Sequence, residues 1–84
     1  MNAENEEAHR LLLQLGTVAT DIILDKLHSM QSKYPKEDVW FYYEGLVYEN
    51  RSAWVKAKLA YQKAYKLSNA EFIADRIVIC DRHL

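Results

Sequence analysis

Apolar residues recur at helical spacing along the chain, and this pattern predicts a series of short helices. In the second half of the sequence, one helix is predicted to follow Asp38 and to end near Asn50. Arg51 and Ser52 would form the turn that follows, with Ser52 as the N-cap of the next helix. The predicted inner face of that next helix consists of Trp54, Ala57, Tyr61, Ala64 and Leu67.

A last amphipathic helix is predicted from Ala70 to His83. Ser68 or Asn69 could cap its N-terminus. The negative charge of Glu71 in the first turn would interact favourably with the positive end of the helix dipole. The apolar positions of this helix are Phe72, Ile73, Ile77, Val78 and Cys80.

The first half of the chain allows two interpretations. Pro35 ends the helix before it, because proline disfavours a helical conformation in the preceding residue. One interpretation is a helix over residues 4–15, a turn at Gly16 and a second helix over residues 17–32. The other is a single helix over residues 4–32, since one internal glycine costs only about 1 kcal/mol relative to alanine. In either case, the later apolar positions are Ile23, Leu27 and Met30.

Two small residues predict a close approach between helices. Gly45 lies in the middle of a predicted helix, where glycine costs about 1 kcal/mol, so tight packing is the natural reason for its presence. We expect Gly45 and Ala57 to face each other between two antiparallel helices, with aromatic side chains filling the space around them.

The order of small and aromatic residues over residues 38–71 resembles the tetratricopeptide repeat (TPR), a helix–turn–helix unit of about 34 residues. The residues that carry the resemblance are Phe41, Gly45, Tyr48, Trp54, Ala57, Tyr61, Ala64 and Leu67. The chain departs from the family at Glu44, where leucine is preferred, at Ser52, where glycine is usual, and at Asn69, where proline is usual.

The resemblance implies an all-α fold, a short TPR-like array of about four to five antiparallel helices in a single domain. Pro35 takes the closing position of a preceding repeat, so residues 4–37 would form a degenerate repeat or a long helix. Residues 38–71 would form the clear repeat, and residues 72–84 would form a capping helix.

The resemblance also implies where a partner would bind, because the first helix of each TPR lines a concave groove. The positions that correspond to the groove are Leu12, Leu15, Val39, Tyr42, Tyr43, Leu46, Asn50, Ile73, Arg76 and Ile77. An apolar, tyrosine-lined groove suits an amphipathic helix or an apolar peptide. The alternative is that the C-terminal helix covers these residues as core.

In size and groove chemistry the chain is similar to small TPR-type chaperones of bacterial type III secretion, which hold aggregation-prone subunits. We therefore expect a non-catalytic adaptor or chaperone with a protein partner. A homodimer is a further expectation, because 84 residues bury only a small core. The alternative reading is a fragment or subunit of a larger TPR solenoid.

Composition and charge narrow the function classes. The chain has 11 basic and 12 acidic residues and a net charge of −1, which gives no electrostatic reason to expect nucleic acid or an acidic membrane as a partner. Cys80 is the single cysteine, so an internal disulfide is impossible and a reducing, cytoplasmic location is predicted. The acidic N-terminus does not resemble a secretory signal, and no apolar run reaches the roughly 20 residues of a membrane span.

Candidate catalytic and metal-binding residues are few. Asp21 and Asp25 lie one helical turn apart, but no histidine or arginine accompanies them in the sequence. Cys80 and His83 could supply two metal ligands, whereas a structural zinc site needs four. We expect no catalytic residue, metal or cofactor, and a metal-binding or enzymatic protein using Cys80 and the histidines is the rival hypothesis. The lysines of the second repeat helix, expected on a solvated outer face, are Lys56, Lys58, Lys63 and Lys66.

Overall fold

A computed structural model describes residues 20–84, and over this range the chain is all-α, as predicted. The helices are α1 (Thr20–Lys33), α2 (Asp38–Asn50), α3 (Trp54–Ser68) and α4 (Glu71–Arg82). They pack against each other, and no strand occurs in residues 20–84. Two expectations lie wholly outside the described residues: the helix over residues 4–15 and the groove positions Leu12 and Leu15. Of the alternative helix over residues 4–32, only the part from residue 20 onwards is described.

The connection between α1 and α2 contains the single proline. α1 ends at Lys33, and the Tyr34 amide still donates to the Met30 carbonyl at 2.8 Å before Pro35 turns the chain. The Tyr34 ring stacks on Trp40 of α2, with ring centroids 6.5 Å apart. This contact folds α2 back against α1, and the predicted helix end before Pro35 is confirmed.

The turn between α2 and α3 corrects the predicted cap. Ser52 has a positive φ of 59°, and its amide donates to the Glu49 carbonyl at 2.9 Å. The N-cap of α3 is Ala53, without a side-chain cap, so the prediction that Ser52 caps this helix was wrong. The left-handed conformation explains why glycine suits this position best, since glycine alone adopts it without a steric cost.

A second left-handed residue joins α3 to α4. Asn69 follows Ser68 with φ 56° and ψ 26°, a conformation that asparagine tolerates better than most residues. The N-cap of α4 is Ala70, so neither Ser68 nor Asn69 is the cap. The Ser68 hydroxyl nevertheless accepts a hydrogen bond from the Ala70 amide at 3.3 Å. Glu71 lies in the first turn, as predicted.

The core of the described chain consists of two clusters that meet at α2. The first core cluster joins α1 to α2 and contains Ile23, Leu27, Trp40 and Val47. The second core cluster joins α3 to α4 and contains Ala57, Tyr61, Ala64, Ile73 and Cys80, with side chains of α2 packed against it. The inner face predicted for α3 is therefore confirmed at its centre, but Leu67 is 41% exposed. It follows the buried Ala64 by three residues, next to the end of the helix at Ser68.

Gly45 permits the closest approach between α2 and α3, although its neighbour is not the predicted one. A Cβ atom at Gly45 would lie 2.4 Å from a ring carbon of Tyr61, and its three nearest atoms all belong to that ring. Ala57 is fully buried in the second core cluster, but it is the tyrosine ring that lies against the glycine. The missing side chain of Gly45 thus makes room for an aromatic ring rather than for a second backbone.

Candidate partner-binding surface

The surface formed by α2 and α4 is the candidate site. Neighbouring helices in the chain approach each other closely, whereas α2 and α4 have few close backbone approaches. Long side chains bridge the space between them. Tyr42 of α2 meets Phe72 of α4 edge to face, with ring centroids 5.2 Å apart, and Arg76 Nη1 donates to Glu49 Oε2 at 3.0 Å. The two helices therefore flank a shallow surface lined by side chains.

Aromatic rings form the apolar part of this surface. Tyr42 contacts Tyr43 and Tyr61 as well as Phe72, with centroid distances of 5.7 and 5.8 Å to the two tyrosines. Tyr61 is fully buried, Tyr42 and Tyr43 are half-buried, and Phe72 is 54% exposed. Rings that rest on a buried tyrosine are held in place, which lowers the entropy that they would lose on binding.

A carboxylate at the edge of the rings connects three helices. Glu49 of α2 accepts hydrogen bonds from the Tyr61 hydroxyl of α3 at 3.2 Å and from Arg76 of α4. Burial, the charge of Glu49 and the hydrogen bond to it raise the pKa of Tyr61 well above its ordinary value of 10.0. Partial burial alone would lower the pKa of Arg76, but the charge of Glu49 and contacts with Tyr61 and Tyr42 outweigh it and raise the pKa. Arg76 therefore remains charged.

The positions predicted for the groove separate into two groups. Those that retain partial exposure are Val39, Tyr42, Tyr43, Leu46, Arg76 and Ile77, and Asn50 is exposed. Ile73 is fully buried in the second core cluster, so the expectation that it lines an open groove was wrong. Ile73, Ile77 and Cys80 form one stripe, and this stripe packs towards the second core cluster. The 34-residue period therefore fails at Ile73, whereas Arg76 and Ile77 keep the partial exposure that it predicts.

Phe72 belongs to the surface but was absent from the predicted set. An aromatic residue three positions after the left-handed Asn69, outside the stripe of Ile73 and Ile77, was the available signal. That signal is weak without a structure, because a single exposed aromatic residue is common on protein surfaces. Its contact with Tyr42 is what gives it significance.

A second polar cluster joins α1 to α2 away from the α2–α4 surface. Glu44 is only 8% exposed; its two carboxylate oxygens bond His28 Nε2 at 2.8 Å and Gln31 Nε2 at 2.9 Å. Gln31 also donates to the Trp40 carbonyl at 3.3 Å. Burial, the charge of Glu44 and a hydrogen bond to it raise the pKa of Tyr48. Glu44 stands where the repeat family prefers leucine, and its hydrogen bonds to His28 and Gln31 of α1 explain why a carboxylate fits there. The sequence pattern did not identify these partners.

The candidate catalytic and metal-binding residues occupy different environments. Asp21 and Asp25 are exposed on α1. Cys80 is fully buried, and burial, followed by the charge of Glu49, raises the pKa of its thiol. His83 stacks on Trp54, with ring centroids 3.8 Å apart and the planes within 6°. Among residues 20–84, no group of three or more His, Cys, Asp or Glu side chains is placed to hold a metal ion.

Comparison of the chain with family models, with curated proteins and with solved structures found no match. A search of residues 20–84 for a helix long and apolar enough to cross a membrane also found none.

Proposed function

We propose that the chain is a non-catalytic protein–protein interaction module that binds an amphipathic helix or an apolar peptide of a partner protein on the α2–α4 surface. The observation that carries the proposal is the Tyr42–Phe72 pair. It presents a large exposed ring on a rigid aromatic support, between two helices whose backbones stand apart. Tyrosine and other aromatic residues dominate the energetics of protein interfaces when they can be fully desolvated.

The chemistry of the surface supports an apolar ligand with a polar edge. Leu46 and Ile77, which pack with Tyr42 against the second core cluster, add partly exposed aliphatic area. Glu49 and Arg76 form an ion pair, so Arg76 is already neutralised and offers little attraction to a peptide's terminal carboxylate. An amphipathic helix would bury its apolar face on the rings and keep its polar face in water. We propose an adaptor or chaperone of this kind in the cytoplasm; a role in type III secretion is a narrower proposal that rests on size and groove chemistry.

Site-specific photo-crosslinking tests this proposal, because α4 offers two exposed apolar positions on different faces. Phe72 is 54% exposed on the α2–α4 surface, and Val78 is 47% exposed six residues later, about 120° around the helix axis. Benzoylphenylalanine at Phe72 should crosslink a discrete partner in the native cell, whereas the same residue at Val78 should not.

The captured segment then provides a quantitative test. Tyr42→Ala and Phe72→Ala should weaken its binding by about tenfold or more, while Val78→Ala should leave the affinity unchanged. All three variants should keep a cooperative thermal melt, since all three side chains retain exposure. Full affinity in Tyr42→Ala and Phe72→Ala would show that the α2–α4 surface is not the binding site.

The same experiment separates the second candidate, a subunit of a larger TPR solenoid. The exposed side of α4 around Val78 is the observation that favours it, because a following repeat would pack on that helix. A crosslink at Val78 but not at Phe72, to another helical-repeat segment, would support the solenoid and contradict the peptide-binding module.

A further inference from the structure

The outer face of α3 carries an unusual share of the exposed apolar surface. Of the eight large hydrophobic side chains exposed in residues 20–84, four lie on this helix: Val55 and Leu59 at the centre of its outer face, and Tyr65 and Leu67 towards its two flanks. Val55 and Leu59 are 58% and 55% exposed. The opposite side of α3 is formed by buried alanines and Tyr61, so the exposed residues have no role in the core.

The same face is positively charged. α3 contains four lysines and no acidic residue. Lys58 forms an ion pair with Asp81 of α4, and Lys56 lies over the Tyr48 ring, with its Nζ atom 5.8 Å from the centroid. Lys63 and Lys66 are exposed, and no carboxylate of residues 20–84 lies within salt-bridge distance of either. These two charges are available to a ligand.

The spacing of these residues places them on a single stripe, here called the α3 outer stripe. Val55, Leu59, Gln62 and Lys66 follow one another at intervals of four, three and four residues, and such intervals lie on one side of a helix. Lys63 lies beside the stripe, and an open depression on this face is lined by Leu59, Gln62, Lys63, Tyr65 and Lys66. The stripe is apolar at its N-terminal end and cationic at its C-terminal end.

We infer that the α3 outer stripe is a second docking site, for an acidic amphipathic helix of a partner protein. Two apolar residues of the ligand would cover Val55 and Leu59, and carboxylates one to two helical turns further along would meet Lys63 and Lys66. Complementary charges would orient the ligand helix and speed its association, and burial of the apolar residues would provide most of the binding free energy. This ligand is specified by its carboxylates, whereas the ligand proposed for the α2–α4 surface is specified by its apolar face.

The observations favour a protein helix over a lipid surface. A helix that lies in a membrane interface buries a continuous apolar face along its length. On the α3 outer stripe the apolar part is confined to Val55 and Leu59, and the next two positions are Gln62 and Lys66. A helix with apolar residues at one end and carboxylates at the other matches this arrangement, whereas an acyl-chain layer does not.

A designed peptide tests the inference. The probe is a synthetic helix with two leucines at one end of a face and glutamates at the other, titrated into the isotopically labelled 84-residue chain while amide shifts are recorded. Shifts should concentrate on α3, and a probe with lysines in place of the glutamates should not bind. The double variant Lys63→Glu/Lys66→Glu should weaken binding by more than about tenfold. Leu59→Ser tests the apolar contact separately.

Lys36→Glu is the control for charge reversal away from α3, because it makes half of the charge change of the double variant at an exposed residue between α1 and α2. Its affinity for the probe should stay within about twofold of the unmodified chain, since an exposed charge away from the contact mainly alters encounter. An equal loss in Lys36→Glu would overturn the inference, as would shifts confined to α2 and α4. Tighter association with vesicles containing phosphatidylserine than with the probe would also overturn it, in favour of a membrane surface.

Discussion

Replacing Gly45 by alanine should destabilise the protein, although alanine is the better helix former. The added Cβ would lie 2.4 Å from the nearest ring carbon of Tyr61, whereas ordinary contact begins at 3.4 Å, so the ring would have to retreat by about 1 Å. Tyr61 is fully buried and its hydroxyl is bonded to Glu49, which leaves the ring little freedom to move. Overpacking of this kind costs about 3 kcal/mol, of which the helix propensity of alanine recovers about 1 kcal/mol.

The expected net loss is therefore about 2 kcal/mol, or a fall in Tm of roughly 8–16 °C for a domain of this size. Urea denaturation followed by circular dichroism measures it, and an unchanged m value would show that only stability has changed. In a Tyr61→Leu background, Gly45→Ala should become neutral or mildly stabilising, because the ring that it meets has gone. A Gly45→Ala variant as stable as the unmodified protein would refute the packing described for α2 and α3.

Other substitutions test the turn, the buried hydroxyl and the C-terminus. Ser52→Gly should stabilise the protein by about 0.5–1 kcal/mol, measured by urea denaturation, because a φ of 59° strains serine but not glycine. Since the folded pKa of Tyr61 lies above its unfolded value of 10.0, its contribution to stability is complete below pH 10 and falls above it, by up to about 1.4 kcal/mol per pH unit. Tyr61→Phe should flatten this alkaline decline, and an identical decline in both proteins would exclude the assignment. His83→Ala should shift the emission of Trp54 to longer wavelength and cost less than about 1.5 kcal/mol, whereas an unchanged spectrum would deny the ring stack.

The sequence predicted the helices well because their signals are local. The 3.6-residue period, Pro35 and the small residues of α2 and α3 act within a turn or two, and they suffice for the bounds of α2. The caps were harder, since Ser52 has the side chain of an N-cap but the backbone of a left-handed turn. Residue type alone does not distinguish these two roles.

The candidate surface was less predictable because it depends on the rotation of α4 about its own axis. A rotation that buries Ile73 also brings Phe72 against Tyr42, and no repeat period carries that information. Glu44 shows the same limit for polar contacts. Its partners, His28 and Gln31, are 16 and 13 residues away in the chain, so only the packing of α1 on α2 brings them together.

Because the two core clusters meet at α2, the free energy of local unfolding should differ between the helices of the described chain. α1 joins the other described helices mainly through α2, whereas α3 is held on both sides, by α2 and by α4. Breaking the contacts of Ile23 and Leu27 would leave the second core cluster intact, so α1 can detach in a local event that α3 cannot follow. Amide hydrogen exchange should then show at least two classes, with α1 exchanging at a free energy below that of global unfolding and α3 close to it. A chain built in this way transmits a disturbance mainly to the next helix along, and the Tyr42–Phe72 and Glu49–Arg76 contacts are the direct links between α2 and α4.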